Sequence, residues 1–249
     1  MTQPTERELA VVCDGLMLAG GVCEAVEPRG TAVLLHGIPT SAPRDPEDAG
    51  YPGLARRFAS EGWTSVWAEM RGVRNSGGYF SIEGWVADAR AIVDAARALD
   101  GVRSPLVLIG SSAGGAVSVE AVTRGASVDA LALLAAPAAW VSFADDPPAA
   151  VKRITVDAGM ALAPETLADP TTWAAEFESV ITEASIGRIT VPVLIVHGTA
   201  DDVVPVDHAH RLAERAPSAQ LRIIEGAPHQ LRRNEEAIAA VLRWMDLVR

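Results

Sequence analysis

At 249 residues the chain is long enough for one large α/β domain, and its 49% hydrophobic residues can fill a substantial core. A formal net charge of −11 argues against nucleic acid and anionic membrane surfaces as partners. The longest apolar stretch, Ala130 to Val141, is too short to span a bilayer and is broken by Pro137. The polar opening from Met1 to Glu8 shows no secretory pattern, so a cytoplasmic location is expected. Lys152 is the only lysine among many arginines and alanines, a composition that suggests a GC-rich bacterial origin.

Two strand-like runs at the N-terminus are joined by Asp14-Gly15, which reads as a two-residue hairpin turn. That register sets Cys13 opposite Leu16 and Cys23 far along the other strand, so no disulfide between them is expected. Two free thiols fit a reducing compartment. Strands are predicted near 31–36 and 64–69, with helices near 52–61 and 83–99. Between them, Ile38 to Tyr51 carries Asp45, Glu47 and Asp48 with Pro43 and Pro46. That composition suits either a solvated loop or a flap over an entrance.

The apolar run Leu106-Val107-Leu108-Ile109, within a strand predicted near 105–110, leads into Gly110-Ser111-Ser112-Ala113-Gly114 and a helix near 114–124. Gly-x-Ser-x-Gly on a strand-to-helix turn pushes the serine hydroxyl into solvent, and the flanking glycines remove Cβ atoms that would collide there. The helix N-terminus offers N–H groups to an oxyanion. Ser112 is therefore the candidate nucleophile. After a strand near 130–135, residues 138–190 break the rhythm. They hold Trp140, Phe143, Trp173 and Phe177, and they read as a cap insertion over the nucleophile within a single domain spanning 1–249. The aromatics suit a small core of the cap or a substrate surface, for which Trp140 is the first candidate.

A serine needs a base. A strand near 192–197 runs into His197-Gly198-Thr199-Ala200-Asp201-Asp202, where an acid just past a strand end can reach a histidine on the next loop. A helix near 207–216 and a strand near 220–224 follow. Gly226-Ala227-Pro228-His229 then forms a loop that can project the imidazole into a cleft, before a last helix near 235–248. The alternation predicts a mostly parallel central sheet with helices on both faces, whose ligands bind beyond the carboxyl ends of the strands. The order Ser112, Asp201, His229 matches one known serine-hydrolase arrangement and differs from two others. No Cys/His cluster has metal-ligand spacing, and no metal or cofactor is expected.

From about Leu9 to its end the chain resembles the α/β-hydrolase fold enzymes. Thr31 to Ile38 is similar to the family strand ending in His-Gly, which implies an oxyanion hole from the backbone N–H groups of Ile38 and Ala113. His197-Gly198 with Val204-Pro205 resembles the family's acid loop and favours Asp201 over Asp202. Gly226 to His229 resembles its histidine loop. One departure is the Arg71-Gly72 turn, which continues with Val73-Arg74 where the family usually has a small or histidine residue and a glycine. The resemblance implies a serine hydrolase for a small acyl substrate, first a carboxylic ester, with thioester or small-peptide hydrolysis as alternatives. A non-catalytic binding protein on the same scaffold is the rival of another class. Serine at the elbow argues against the dehalogenase and epoxide hydrolase branches, which use aspartate.

Overall fold

The computed structural model describes residues 4–40, 48–140, 145–216 and 218–248. Pro43, Asp45, Pro46, Glu47 and Phe143 lie outside the described residues. Strands β1 (Thr5–Cys13) and β2 (Leu16–Glu24) pair antiparallel with Cys13 opposite Leu16. Asp14 and Gly15 both have positive φ, 52° and 76°, as a twist-matched two-residue hairpin demands. Cys13 and Cys23 are free and buried, and Cys23 pairs with Glu6.

Six further strands follow: β3 (Gly30–Leu35), β4 (Trp63–Ala68), β5 (Leu106–Ser111), β6 (Ala130–Leu134), β7 (Val193–Gly198) and β8 (Gln220–Ile224). Each lies within one residue of its predicted span. The sheet order is β1-β2-β4-β3-β5-β6-β7-β8. All pairings beyond β2–β4 are parallel, with β5, β6, β7 and β8 successive neighbours. Charged Glu6, Arg7 and Glu8 on β1 are exposed and blunt that edge of the sheet.

Because side chains alternate along a strand, the sheet carries two apolar layers. Val33, Leu35, Leu131 and Leu133 face one side, where α2 (Ile82–Arg97) and α3 (Ala113–Thr123) pack. Ala32, Leu34, Ala132 and Leu134 face the other, covered by α1 (Gly50–Ser60) and the C-terminal helix Glu235–Met245. Ile82, Trp85, Val86, Ala89, Ile92, Val93 and Ala96 give α2 its buried stripe, and its N-cap Ser81 accepts from Gly84 N–H. Residues Ala113 to Ala121 of α3 are all buried, as suits a helix enclosed by the sheet and its neighbours.

Between β6 and β7 the chain folds as short helical segments, Pro147–Lys152, Pro164–Ala168, Thr171–Ala175 and Thr182–Ser185. Their aromatic residues pack among themselves and against the β4–α2 connection. Trp173 Nε1 donates to Phe80 O at 3.1 Å, and Phe177 lies against Trp173 and Trp140 with centroids 5.2 and 5.7 Å apart. Phe80 stacks edge-on with Trp85 at 4.7 Å, and Trp85 with His36 at 5.1 Å. A continuous run of rings thus links this segment to the end of β3.

Turn chemistry explains how the Arg71-Gly72 departure is absorbed. Arg71 is anchored on Asp88 of α2, whose carboxylate accepts from Arg71 N, Nε and Nη2 at 2.7, 3.0 and 2.8 Å. Val73 is buried, while Arg74 sits at φ 45° and donates to Glu69 at 3.2 Å. Glu69 also accepts from Asn75 N–H. Gly72 cannot be replaced freely, because at φ 76° a Cβ would meet Phe80 N at 2.5 Å.

Candidate active site

β5 ends at Ser111 and α3 begins at Ala113, so Ser112 alone makes the turn, at φ 52° and ψ −124°. A non-glycine residue held there costs on the order of 1–3 kcal/mol, which the surroundings must offset. Part of that support is the bond from Ser112 N–H to Leu134 O, 2.7 Å. The turn also requires close backbone approach. A Cβ on Gly110 would lie 2.4 Å from Gly114 O, and one on Gly114 would lie 2.3 Å from His36 O. Gly37 is pressed against the serine in the same way, since a Cβ there would sit 2.8 Å from Ser112 Cβ.

β7 ends in a turn that carries Asp201, and the loop after β8 carries His229. The sheet order brings both to the edge where β5 delivers Ser112. His229 Nε2 is 3.0 Å from Ser112 Oγ, and His229 Nδ1 is 2.8 Å from Asp201 Oδ2. Asp201 is 7% exposed, whereas Asp202 faces solvent. Its Oδ1 accepts from the N–H groups of Val203 and Val204 at 3.0 and 2.8 Å. Burial alone would raise the Asp201 carboxyl, but hydrogen bonds from His197, His229 and Val204 N–H outweigh it and hold the group well below the usual carboxylate range. The imidazole side chain of His229 is 18% exposed, open enough to meet a substrate.

Ala113 N–H is the first of α3 and has no intrahelical acceptor. Ile38 is the residue after Gly37, which touches Ser112, and it is partly buried against the core. The strand end before it is held by His36, whose ring accepts from Met70 N–H through Nε2 at 2.9 Å. Its Nδ1 therefore carries the proton and donates to Gly37 O at 2.8 Å. Burial pushes the His36 imidazole down to about 4, although the Gly37 bond opposes this. Trp140 is 6% exposed and lies on Phe177, inside the aromatic run described above.

Two residues read from the sequence only as parts of loops make contacts near the site that sequence pattern did not assign. Asp48, in the segment before α1, accepts from Arg232 Nη1 and Nη2 at 2.7 and 2.5 Å. Arg232 Cζ also lies 5.7 Å from the Tyr51 ring centroid. This bidentate pair ties the loop that follows Ile38 to the turn that follows His229. Partners 184 residues apart leave no local signature. The second residue is His197, four residues before Asp201, with Nε2 3.2 Å from Asp201 Oδ2. That i, i+4 spacing across a turn is the one available signal. Among the described residues, no group of three or more His, Cys, Asp and Glu side chains is arranged to hold a metal ion. No described helix is long and apolar enough to cross a membrane.

A mostly parallel eight-stranded sheet with a serine elbow after β5, an acid turn after β7 and a histidine loop after β8 defines an α/β-hydrolase. Residues 26–180 and 171–236 match the family model of serine aminopeptidase S33, and the chain belongs to that family. It is 27% identical over 239 residues to a monoacylglycerol lipase from Mycolicibacterium smegmatis, covering 82% of each chain. A 45-residue stretch is 49% identical to a candidate non-heme chloroperoxidase from Synechocystis sp., spanning 18% of this chain and 16% of that one. Among solved structures, Est1E from Butyrivibrio proteoclasticus with ferulic acid bound superposes with a TM-score of 0.71 at 21% identity, over 96% of both chains.

Proposed function

We propose that the protein hydrolyses carboxylic esters or closely related acyl bonds through an acyl-enzyme on Ser112. The observation that carries this reading is the pair of contacts linking Ser112 Oγ to His229 Nε2 and His229 Nδ1 to Asp201 Oδ2. His229 takes the hydroxyl proton as Oγ attacks the carbonyl carbon, while Asp201 holds the ring and stabilises the imidazolium. The oxyanion is met by the N–H groups of Ala113 and Ile38. His229 then gives its proton to the leaving alcohol as the tetrahedral adduct collapses. In the second half it takes a proton from water, whose oxygen attacks the acyl-enzyme, and returns that proton to Ser112 as the acid departs. The sequence of steps needs no metal or cofactor.

Ester cleavage is favoured over thioester or peptide cleavage because a relative matched over 82% of its length is a monoacylglycerol lipase. The family name points the other way, toward peptides. Two free thiols support a reducing, cytoplasmic setting. The test is covalent labelling with a serine-directed phosphonate, followed by turnover on acyl esters, thioesters and aminoacyl amides. One adduct on Ser112 and fastest turnover of esters is the expected result. No adduct would mean a binding protein on a hydrolase scaffold.

We further propose that residues 138–190 cap Ser112 and that Trp140 helps to shape an acyl pocket. Trp140→Ala is expected to shift the preferred acyl length while sparing a small acetyl ester. A pocket wall discriminates by about 1–3 kcal/mol per methylene, whereas the triad acts on every ester alike. Rates across a graded ester series, beside a melting curve, check this. Since Trp140 packs on Phe177, an equal loss on all chain lengths with a lowered Tm would assign it to the insertion's core instead.

A further inference from the structure

The acid turn holds a second histidine that the mechanism above leaves unused. His197 lies near the end of β7 and is fully buried. Its Nε2 is 2.8 Å from Val204 O and 3.2 Å from Asp201 Oδ2. Both groups are acceptors, so Nε2 carries the proton; its N–H bonds to Val204 O and lies beside Asp201 Oδ2. Among the described residues His197 Nδ1 has no hydrogen-bond partner, so all of the ring's hydrogen bonding is on its Nε2 side.

Asp201 Oδ2 is therefore approached by two histidines: it accepts from His229 Nδ1 at 2.8 Å and has His197 Nε2 beside it at 3.2 Å. Its Oδ1 is filled by two backbone N–H groups. Among the described residues, the other titratable groups around the acid turn include the exposed Asp202, His208, which interacts electrostatically with His197, and Asp207, Arg211 and Glu183, which act on His208. His208 Nδ1 accepts from Ala138 N–H at 2.9 Å.

We propose that His197 is a positioning residue for the hydrolysis proposed above, sharing Asp201 with His229 and so setting how strongly the carboxylate binds the catalytic imidazole. An N–H donor on Oδ2 draws off negative charge and fixes the plane of the carboxylate. Removing it leaves Oδ2 more basic toward His229, which favours the imidazolium. The acid limb of kcat/KM, which follows protonation of the free enzyme's base, then moves to higher pH.

His197→Leu removes the donor and keeps apolar bulk, whereas His197→Gln retains an N–H near the Nε2 position. In the leucine variant the acid limb is expected to rise by about half a pH unit. Its kcat should fall about tenfold through the loosened carboxylate, with KM little changed. Glutamine should restore both. If the leucine variant fails to fold, His197→Asn, whose shorter amide cannot reach Asp201, takes its place. The titration of His229 followed by 15N NMR gives the same shift without relying on turnover. A folded variant lacking the donor in which His229 titrates as in the wild type would overturn the proposal, leaving His197 as a closure for the 199–204 turn. A wild type that neither labels at Ser112 nor hydrolyses any acyl substrate overturns the hydrolase reading instead, and the NMR titration still decides the His197 contact.

Discussion

Ser112→Ala is expected to abolish hydrolysis, with a loss of about a millionfold in kcat, while the protein stays folded. The substitution removes one oxygen from a partly exposed side chain and adds no volume to a turn already crowded by Gly37, Gly110 and Gly114. The strained backbone at φ 52° is equally strained for alanine, and the Ser112 N–H bond to Leu134 O is retained. Ser111→Ala is the informative control. Ser111 closes β5 and its side chain interacts with Tyr51, so its loss should cost less than about tenfold. Ester turnover, phosphonate labelling and a melting curve on both variants check the pair. Activity surviving in Ser112→Ala, or equal losses in the two, would show that the elbow has been assigned in the wrong register.

Asp201→Asn should lower kcat by about a thousandfold or more. The carboxylate accepts on both oxygens, from two backbone N–H groups on one and from His229 on the other, with His197 Nε2 3.2 Å away. An amide must turn its NH2 toward one of those sets. Facing the histidines, it forces His229 into the wrong tautomer. Facing Val203 and Val204, it sets donor against donor. Either way a buried polar group loses its partner, so a stability loss of about 1–3 kcal/mol accompanies the kinetic one. Asp202→Asn should be mild in both respects, because Asp202 is exposed. Steady-state rates and denaturant midpoints for the two variants decide the matter, and a reversed ranking would move the acid to 202.

Strand positions were legible because an apolar run bounded by turn residues is a local signal, and Asp14-Gly15 specified the hairpin register through the turn it can adopt. The elbow was legible for a similar reason. Gly110 and Gly114 mark the places where backbone must approach backbone, and the structure meets that need with contacts to Gly114 O and His36 O. The acid and histidine loops followed from their place after strands, with the resemblance of His197-Gly198 and Val204-Pro205 to the family's acid loop favouring Asp201 over the adjacent Asp202. Helix ends were less certain. The last helix stops at Met245, short of the predicted 248, since fraying ends depend on local capping rather than on apolar period.

What the sequence determined by itself was therefore whatever nearest neighbours and side-chain period can encode: eight strands, the layering of apolar residues and the order of three candidate catalytic side chains. Tertiary structure alone decided which distant groups share an atom. It set Arg232 on Asp48, ran a chain of aromatic rings from His36 to Trp140, and pressed Gly37 against Ser112. It also put His197 and His229 on the same carboxylate oxygen. Such contacts depend on how strands from separate parts of the chain are ordered in the sheet, and no period or turn motif along one segment carries that information.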